Sequence, residues 1–184
     1  DDIPVTIAPK EVTLAWSDTT LTYNGAAQAP TAEAGGLVGD DVCTVTVEGA
    51  RTDAGEDYTA TASGLSNSNY KLPADNTTSF TILKAPAPDK NTLDDNQKPK
   101  GIEGLIYNGG EQALVTAPES LPDGYTKVQY STDGGTTWND TPTGTDAKDY
   151  TVNVRYVGDK NHEDFDGDDI PVTIAPKEVT LAWS

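Results

Sequence analysis

Acidic side chains crowd one short stretch near the end of the chain, and their type suits metal chemistry better than any other group in the sequence. Asp159, Asp164, Asp166 and Asp168 follow one another closely there. Calcium takes hard oxygen ligands, but the stretch lacks the bidentate glutamate that stands at about the twelfth position of an EF-hand loop. Acidic loops are also commonly just solvated. The sequence therefore predicts no metal and no cofactor, with calcium on these four carboxylates as the alternative.

Nucleophiles and general bases are scarce in this sequence. His162 is the single histidine and Cys43 the single cysteine. One histidine cannot supply a His-based triad or a zinc site of the usual kind. One thiol cannot form an internal disulfide, and Cys43 sits in the alternating run Val42–Val47, where a buried, inert thiol is expected. We therefore expect no catalytic residue, no cofactor-binding residue and no enzyme.

The stretch Ser131–Trp138 reads Ser-Thr-Asp-Gly-Gly-Thr-Thr-Trp. It is similar to the Asp-box hairpins of sialidase-like propellers. A lone copy is expected to be a hairpin device, in which Asp133, Gly134 and Gly135 make the turn and Trp138 packs back. The alternative is a glycan site that uses exposed aromatic rings such as Trp138 or Tyr125.

A seventeen-residue string, DDIPVTIAPKEVTLAWS, organises the chain, because it occupies Asp1–Ser17 and recurs without a difference as Asp168–Ser184. An identical copy at this distance predicts a tandem array in which one repeat spans residues 1–167. Apolar residues alternate with polar or small ones on both sides of Pro176. The string is therefore interpreted as the last strand of one domain passing through a short, stiff hinge into the first strand of the next.

The rest of the chain is also interpreted as strand and turn. Short alternating apolar runs are separated by Gly, Asp, Asn and Pro, and no segment has sustained helical periodicity. We predict an all-β protein made of two tandem small β-sandwich modules of Ig-like type, with a β-grasp variant possible for the first. The predicted ranges are 1–9 for the closing strand of a preceding repeat, 10–84 for module A, 85–100 for a linker, 101–176 for module B and 177–184 for the first strand of the next repeat.

The two modules share short motifs that predict turns and anchors. Leu21–Gly25 and Leu105–Gly109 both contain Tyr-Asn-Gly, which predicts a tight turn with glycine at positive φ. Tyr58 and Tyr150 each open a strand after an Asp-Ala turn. This is the arrangement of a tyrosine corner, in which the ring joins the core and the hydroxyl ties down the turn.

Composition excludes some partners. The formal net charge of −18 argues against nucleic acid and against anionic membrane surfaces, and it keeps a crowded polymer soluble. No apolar run approaches the roughly 20 residues of a transmembrane helix, so membrane insertion is not expected.

The motifs of the two modules are similar to those of known repeat domains. Leu21–Gly25, the Asp-Ala-Gly ahead of Tyr58, Asn67–Leu72 and Ser79–Lys84 resemble the MBG/YDG-type repeat domains of bacterial surface proteins over nearly all of module A. Module B resembles the bacterial Ig-like repeats that often accompany them, through the stretches 107–109, 130–138, 146–150 and 158–161. Two departures are an extra residue, Glu56 or Asp57, and Lys148 in place of the usual glycine.

The resemblance implies a large exported protein at the cell surface or cell wall, in which such repeats form a stalk or spacer of an adhesin or fibrous surface protein. The expected partners are neighbouring repeats of the same chain, with head-to-tail self-association possible through the unpaired end strands. Two alternatives stay open: a module that binds host glycan or mucin, and an accessory domain of a secreted carbohydrate-active enzyme. Repeats of surface proteins sometimes contain isopeptide cross-links, for which Lys10, Lys71 and Lys84 are the candidate lysines.

Overall fold

The computed structural model describes residue 3 and residues 6–181, and the chain divides into two compact units, Asp1–Ala85 and Pro86–Ser184. The first unit contains module A and the second contains module B. Apart from a short 3-10 turn at Lys90–Thr92, the regular structure in the described residues is β-strand. The prediction of an all-β protein is confirmed, while the Ig-like type of the two modules stays a prediction.

Module A is built from short strands whose positions follow the alternating apolar runs. They are β1 Lys10–Glu11, β2 Thr13–Ser17, β3 Thr20–Thr22, β4 Thr31–Gly35, β5 Val45–Glu48, β6 Gly55–Leu65, β7 Tyr70–Lys71 and β8 Thr77–Leu83. The main sheet has the order β3-β8-β6-β5, while β2 pairs with β4 and β1 with β7. The described residues 10–84 contain no α-helix, and the β-grasp variant for this module stays a prediction.

The core of module A lies beneath the main sheet. Phe80 and Ile82 on β8 are 2% and 1% exposed, and Ala60 on β6 is fully buried beside them. The extra residue of this module forms a β-bulge, because the β6–β8 register shifts between Gly55 and Tyr58 and Asp57 takes φ 57°. A bulge lets the strand absorb one residue while the side chains on either side keep their faces.

Module B repeats the arrangement of module A. Its strands are β9 Lys100–Gly101, β10 Leu105–Ile106, β11 Gln112–Ala113, β12 Val115–Thr116, β13 Tyr125–Ser131, β14 Thr143–Gly144, β15 Asp149–Gly158, β16 Phe165–Asp166 and β17 Ile170–Ala175. The main sheet has the order β10-β17-β15-β13, and β16 pairs with β15. In both modules an early strand crosses over to lie parallel to the last strand, as β3 lies beside β8 and β10 beside β17.

Strand β15 shows why the sequence folds in this way. Val152, Val154 and Tyr156 are at most 2% exposed, whereas the intervening residues are more accessible. This alternation gives the sheet one apolar face and one polar face. Tyr156 stacks on Phe165 of β16 with ring centroids 4.5 Å apart. This contact joins β16, which pairs with β15, to the core of module B.

The segment 85–100 is not a linker, and that prediction is wrong. Leu93 is 8% exposed within the core of module B, and the Tyr156 hydroxyl donates a hydrogen bond of 2.8 Å to the Gln97 carbonyl. The Asn96 carbonyl accepts from the Glu119 amide at 2.9 Å. The segment attaches to module B through a single leucine and through main-chain carbonyls. Neither produces an alternating apolar pattern, so the periodicity of the sequence does not indicate this packing.

The Asn-Gly turns form as predicted. Gly25 and Gly109 take φ 80° and 84°, in the left-handed region that glycine enters without strain. Asn24 and Asn108 each accept, through the side-chain oxygen, a hydrogen bond from the amide two residues on, at 2.9 and 2.8 Å. The prediction of matching tight turns in the two modules is confirmed.

The two copies of the seventeen-residue string have different structures. Ile174 is fully buried in β17, but its counterpart Ile7 is 93% exposed; Val12 is 2% exposed, but its counterpart Val179 is 81% exposed. The strands predicted within 1–9 and 177–184 do not form in the described residues 3, 6–9 and 177–181. The other residues of those two ranges lie outside the described part of the chain.

Candidate functional site

Three of the four acids proposed as a calcium alternative are held by separate partners. Asp159 Oδ1 accepts from the Asn161 amide at 2.8 Å and is joined to His162 Nδ1 at 2.7 Å. Asp164 Oδ1 accepts from the Gly158 amide at 2.9 Å. Asp168 pairs with a lysine, and Asp166 lies in β16. Within the described residues no group of three or more acid, histidine or cysteine side chains could hold a metal ion.

The electrostatics of this stretch fit structural contacts. The hydrogen bond from His162, followed by the one from the Asn161 amide, lowers the pKa of Asp159. The hydrogen bond and charge of Lys90 lower the pKa of Asp168, which in turn raises the pKa of Lys90. Their side-chain atoms lie 2.7 Å apart. Because Lys90 belongs to the segment 86–100, this ion pair attaches that segment to the rest of module B.

The Asp-box stretch is a closed hairpin. The Asp133 carboxylate accepts from the hydroxyl groups of Ser131 and Thr137 at 2.7 and 2.6 Å. It also accepts from the amides of Thr136 and Thr137 at 3.0 and 2.9 Å. These hydrogen bonds, above all those from Thr137, hold the pKa of Asp133 well below its usual range. A carboxylate with this many donors stabilises the turn and has little capacity left for a ligand.

The two aromatic rings suggested for a glycan site do not form an open platform. The Arg155 guanidinium lies 4.3 Å from the centre of the Trp138 ring and covers it, while Gln129 accepts from Arg155 at 2.7 Å. Tyr125 is 9% exposed and its hydroxyl donates to the Glu163 carbonyl at 3.0 Å. The expectation that Tyr125 is exposed is wrong, because its ring packs edge-on against Phe165 in the core.

The tyrosine corners form in both modules. The Tyr58 hydroxyl donates to the Asp53 carbonyl at 3.2 Å. The Tyr150 hydroxyl donates to the Asp146 carbonyl at 3.0 Å and accepts from the Asp146 amide at 3.1 Å. Each tyrosine therefore fixes the turn that precedes its strand. The predicted role of both residues is confirmed.

The remaining reactive side chains are arranged as structural groups. Cys43 is buried at 8% exposure, as expected. The candidate isopeptide lysines all lie at the surface, where Lys71 pairs with Glu11 at 3.0 Å and Lys10 donates to the Gly36 carbonyl at 2.7 Å. Lys84 is exposed as well. An isopeptide bond needs a buried lysine beside an acid, so these surface positions do not suit one.

An open cleft between β4 and β5 is a concave feature that the sequence did not predict. Its volume is about 710 Å³, and the apolar lining residues are Ala32, Ala34, Leu37, Val42, Cys43, Val45 and Val47. The small alanine side chains on β4 leave this space unfilled. The presence of alanine instead of larger apolar residues in this strand is the sequence feature that could have indicated the cleft. The Tyr70 hydroxyl accepts from the Val38 amide at 2.8 Å and donates to Asp41 at 2.7 Å, which secures the loop above it.

Comparison of the chain with protein-family models, with curated proteins and with solved structures finds no match. In the described part of the chain, no helix has the length and apolar character needed to cross a membrane. The geometry around each candidate residue thus stands by itself, and most of the candidate side chains hold a turn, a hairpin or a segment.

Proposed function

We propose that this chain is a structural repeat unit, a stalk or spacer, of a large extracellular bacterial adhesin or fibrous surface protein. The observation that carries the proposal is the identical string at Asp1–Ser17 and Asp168–Ser184. A part needed many times over for length is repeated without change, whereas a binding site is needed in few copies. The resemblance of module A to MBG/YDG-type repeats supports the location at the cell surface.

The way in which the chain leaves each module supports a spacer. The last strand β8 lies between β3 and β6 in module A, and the last strand β17 lies between β10 and β15 in module B. The strand from which the chain continues is therefore hydrogen-bonded on both sides, as suits a part that is connected to neighbours along a chain.

The function of a spacer depends on length and not on surface chemistry, and this difference gives the test. In the organism that makes the full protein, one repeat is deleted, and in a matched strain it is replaced by an unrelated β-domain pair of equal length. Antibodies against this chain should label intact cells. Deletion should reduce adhesion by the distal part of the protein, and the replacement should restore it.

Two outcomes would contradict the proposal. Labelling that requires permeabilised cells would exclude the surface location. Failure of the unrelated replacement to restore adhesion would favour a ligand-binding role, such as recognition of glycan or mucin, and a glycan array on this chain would then identify the ligand class.

A further inference from the structure

In each module the last strand is held in the middle of the main sheet, with an early strand parallel to it on one side. In module A, Thr20 pairs with Thr81 and Thr22 with Leu83. The Thr81 amide donates to the Thr19 carbonyl at 3.0 Å, and the Tyr23 amide donates to the Leu83 carbonyl at 2.8 Å. The contact is thus a continuous ladder, closed at both ends.

Module B has the same ladder on a different sequence. Leu105 pairs with Ile174 and Ile106 with Ala175 in parallel register. The Tyr107 amide donates to the Ala175 carbonyl at 2.8 Å. On its other side, β17 pairs with β15 in antiparallel register.

Parallel pairing decides how tension acts on such a module. Once β1 and β2 of module A, or residues 86–101 of module B, have been pulled off their partners, tension on the chain pulls the early strand towards the amino end and the last strand towards the carboxyl end. Since the two strands are parallel, they are pulled past each other along their axes, and all the ladder hydrogen bonds are loaded together. An antiparallel pair at the ends would instead open one bond at a time from its free end.

Side chains oppose the same sliding motion. Val172 and Ile174 on β17 are 5% and 0% exposed, and Phe80 and Ile82 on β8 are 2% and 1% exposed. Moving either strand by one residue would place its alternate, more exposed side chains against the core. Sliding under load therefore requires these apolar side chains to leave their sites before the ladder can re-form.

We propose that the parallel pairs β3–β8 and β10–β17 are mechanical clamps that keep the modules folded when the chain is under tension. This proposal rests on the spacer function, because tension arises when the chain connects a distal attachment to the cell.

Single-molecule force spectroscopy tests the clamp through the direction of pulling. The full chain is pulled by its two termini, or by its carboxyl terminus and an azide-bearing residue placed at Thr132. Thr132 follows β13, which is parallel to β17 because both are antiparallel to β15. The second geometry therefore pulls from one end of the sheet and peels the strands. We expect terminal pulling to require roughly two to three times the force, since a few ladder bonds share the load instead of breaking singly.

A matched pair of proline variants isolates the ladder. Tyr107→Pro removes the amide that donates to Ala175. In Ile106→Pro the lost amide points to the free side of the edge strand β10, where proline is tolerated. Both side chains are substantially exposed, at 40% and 56%. We expect Tyr107→Pro to bring one of the two unfolding events under terminal pulling down towards the peeling force, and Ile106→Pro to leave both events unchanged. Urea unfolding of each variant verifies that it folds.

Equal forces in the two pulling geometries would overturn the clamp, as would equal losses of force in the two proline variants. Either result in a chain that antibodies detect on intact cells refutes the clamp and leaves the spacer function in place. If the unfolding force depends strongly on the pulling direction but antibodies do not detect the chain on intact cells, the clamp is confirmed as a property of the fold and the spacer function is refuted.

Discussion

Replacing one isoleucine in each copy of the repeated string measures what the fold adds to an identical sequence. Ile7 and Ile174 have the same neighbours on both sides, yet Ile7 is 93% exposed and Ile174 is fully buried. Removing a buried isoleucine side chain down to alanine costs about 2–5 kcal/mol. A substitution at an exposed site away from special contacts stays within about 0.5 kcal/mol. We therefore expect Ile174→Ala to destabilise module B by about 3 kcal/mol and Ile7→Ala to change almost nothing.

Urea unfolding followed by amide NMR signals checks this prediction, because the signals of the two modules are read separately. With about 1–3 kcal/mol per molar urea for a small domain, a loss of 3 kcal/mol moves the midpoint down by about 1–3 M. In thermal unfolding the same loss lowers the melting temperature by about 12–24 °C for a domain of this size. Ile174→Val is the graded control, with an expected cost of about 0.5–1.5 kcal/mol.

The reasoning fails if Ile174→Ala lowers the free energy of unfolding of module B by less than about 1 kcal/mol, because truncation of a fully buried side chain of this size has a larger effect. It also fails if Ile7→Ala costs as much as Ile174→Ala. In that case the first copy of the string would have a buried partner.

Four further measurements examine the remaining structural assignments. Tyr150→Phe removes the hydroxyl that bonds the Asp146 carbonyl and should cost about 0.5–1.5 kcal/mol in urea unfolding, while unchanged stability would deny the corner its role. Asp133→Asn should flatten the acid limb of the stability profile: the folded-state pKa of Asp133 is depressed, so its contribution is present above the unfolded pKa of about 4 and is lost as the pH falls below it. Equal acid limbs in the wild type and the variant would contradict this. Leu93→Ala should destabilise module B by about 2–5 kcal/mol, whereas a free linker would tolerate it. Millimolar calcium should leave the melting temperature unchanged, and an upward shift that disappears in the Asp164→Ala variant would establish a site.

Local sequence was sufficient for the Asn-Gly turns and for long alternating strands such as β15. The sequence predicts that Tyr150 opens a strand, and the structure has the strand Asp149–Gly158. The Asn-Gly turns and the tyrosine corners were also predicted, because each rests on interactions among residues a few positions apart. The core role of Leu93 was not predictable, since a single leucine in a proline-rich segment has no period and its partners lie far along the chain.

The candidate sites divide in the same way. The hairpin role of Asp133 follows from neighbours within a few residues, and the sequence indicated it. The burial of Tyr125 and the cover of Arg155 over Trp138 depend on strands brought together by the sheet, so the sequence could not distinguish an exposed ring from a packed one. The volume of the cleft beside β4 also could not be predicted, because it depends on how strands that are distant in sequence pack together.

The repeated string marks the boundary between what sequence determines and what tertiary structure decides. By itself the string determines alternation, and so which side chains would face a core if a core were there. Whether it becomes a strand depends on neighbours to supply hydrogen bonds and apolar contacts, because an isolated strand has unpaired amides and carbonyls and buries too little surface to offset its lost conformational entropy. Ile170–Ala175 has β10 and β15 on either side and forms β17, while the described residues of the same sequence at 3–8 have no strand partner and remain exposed.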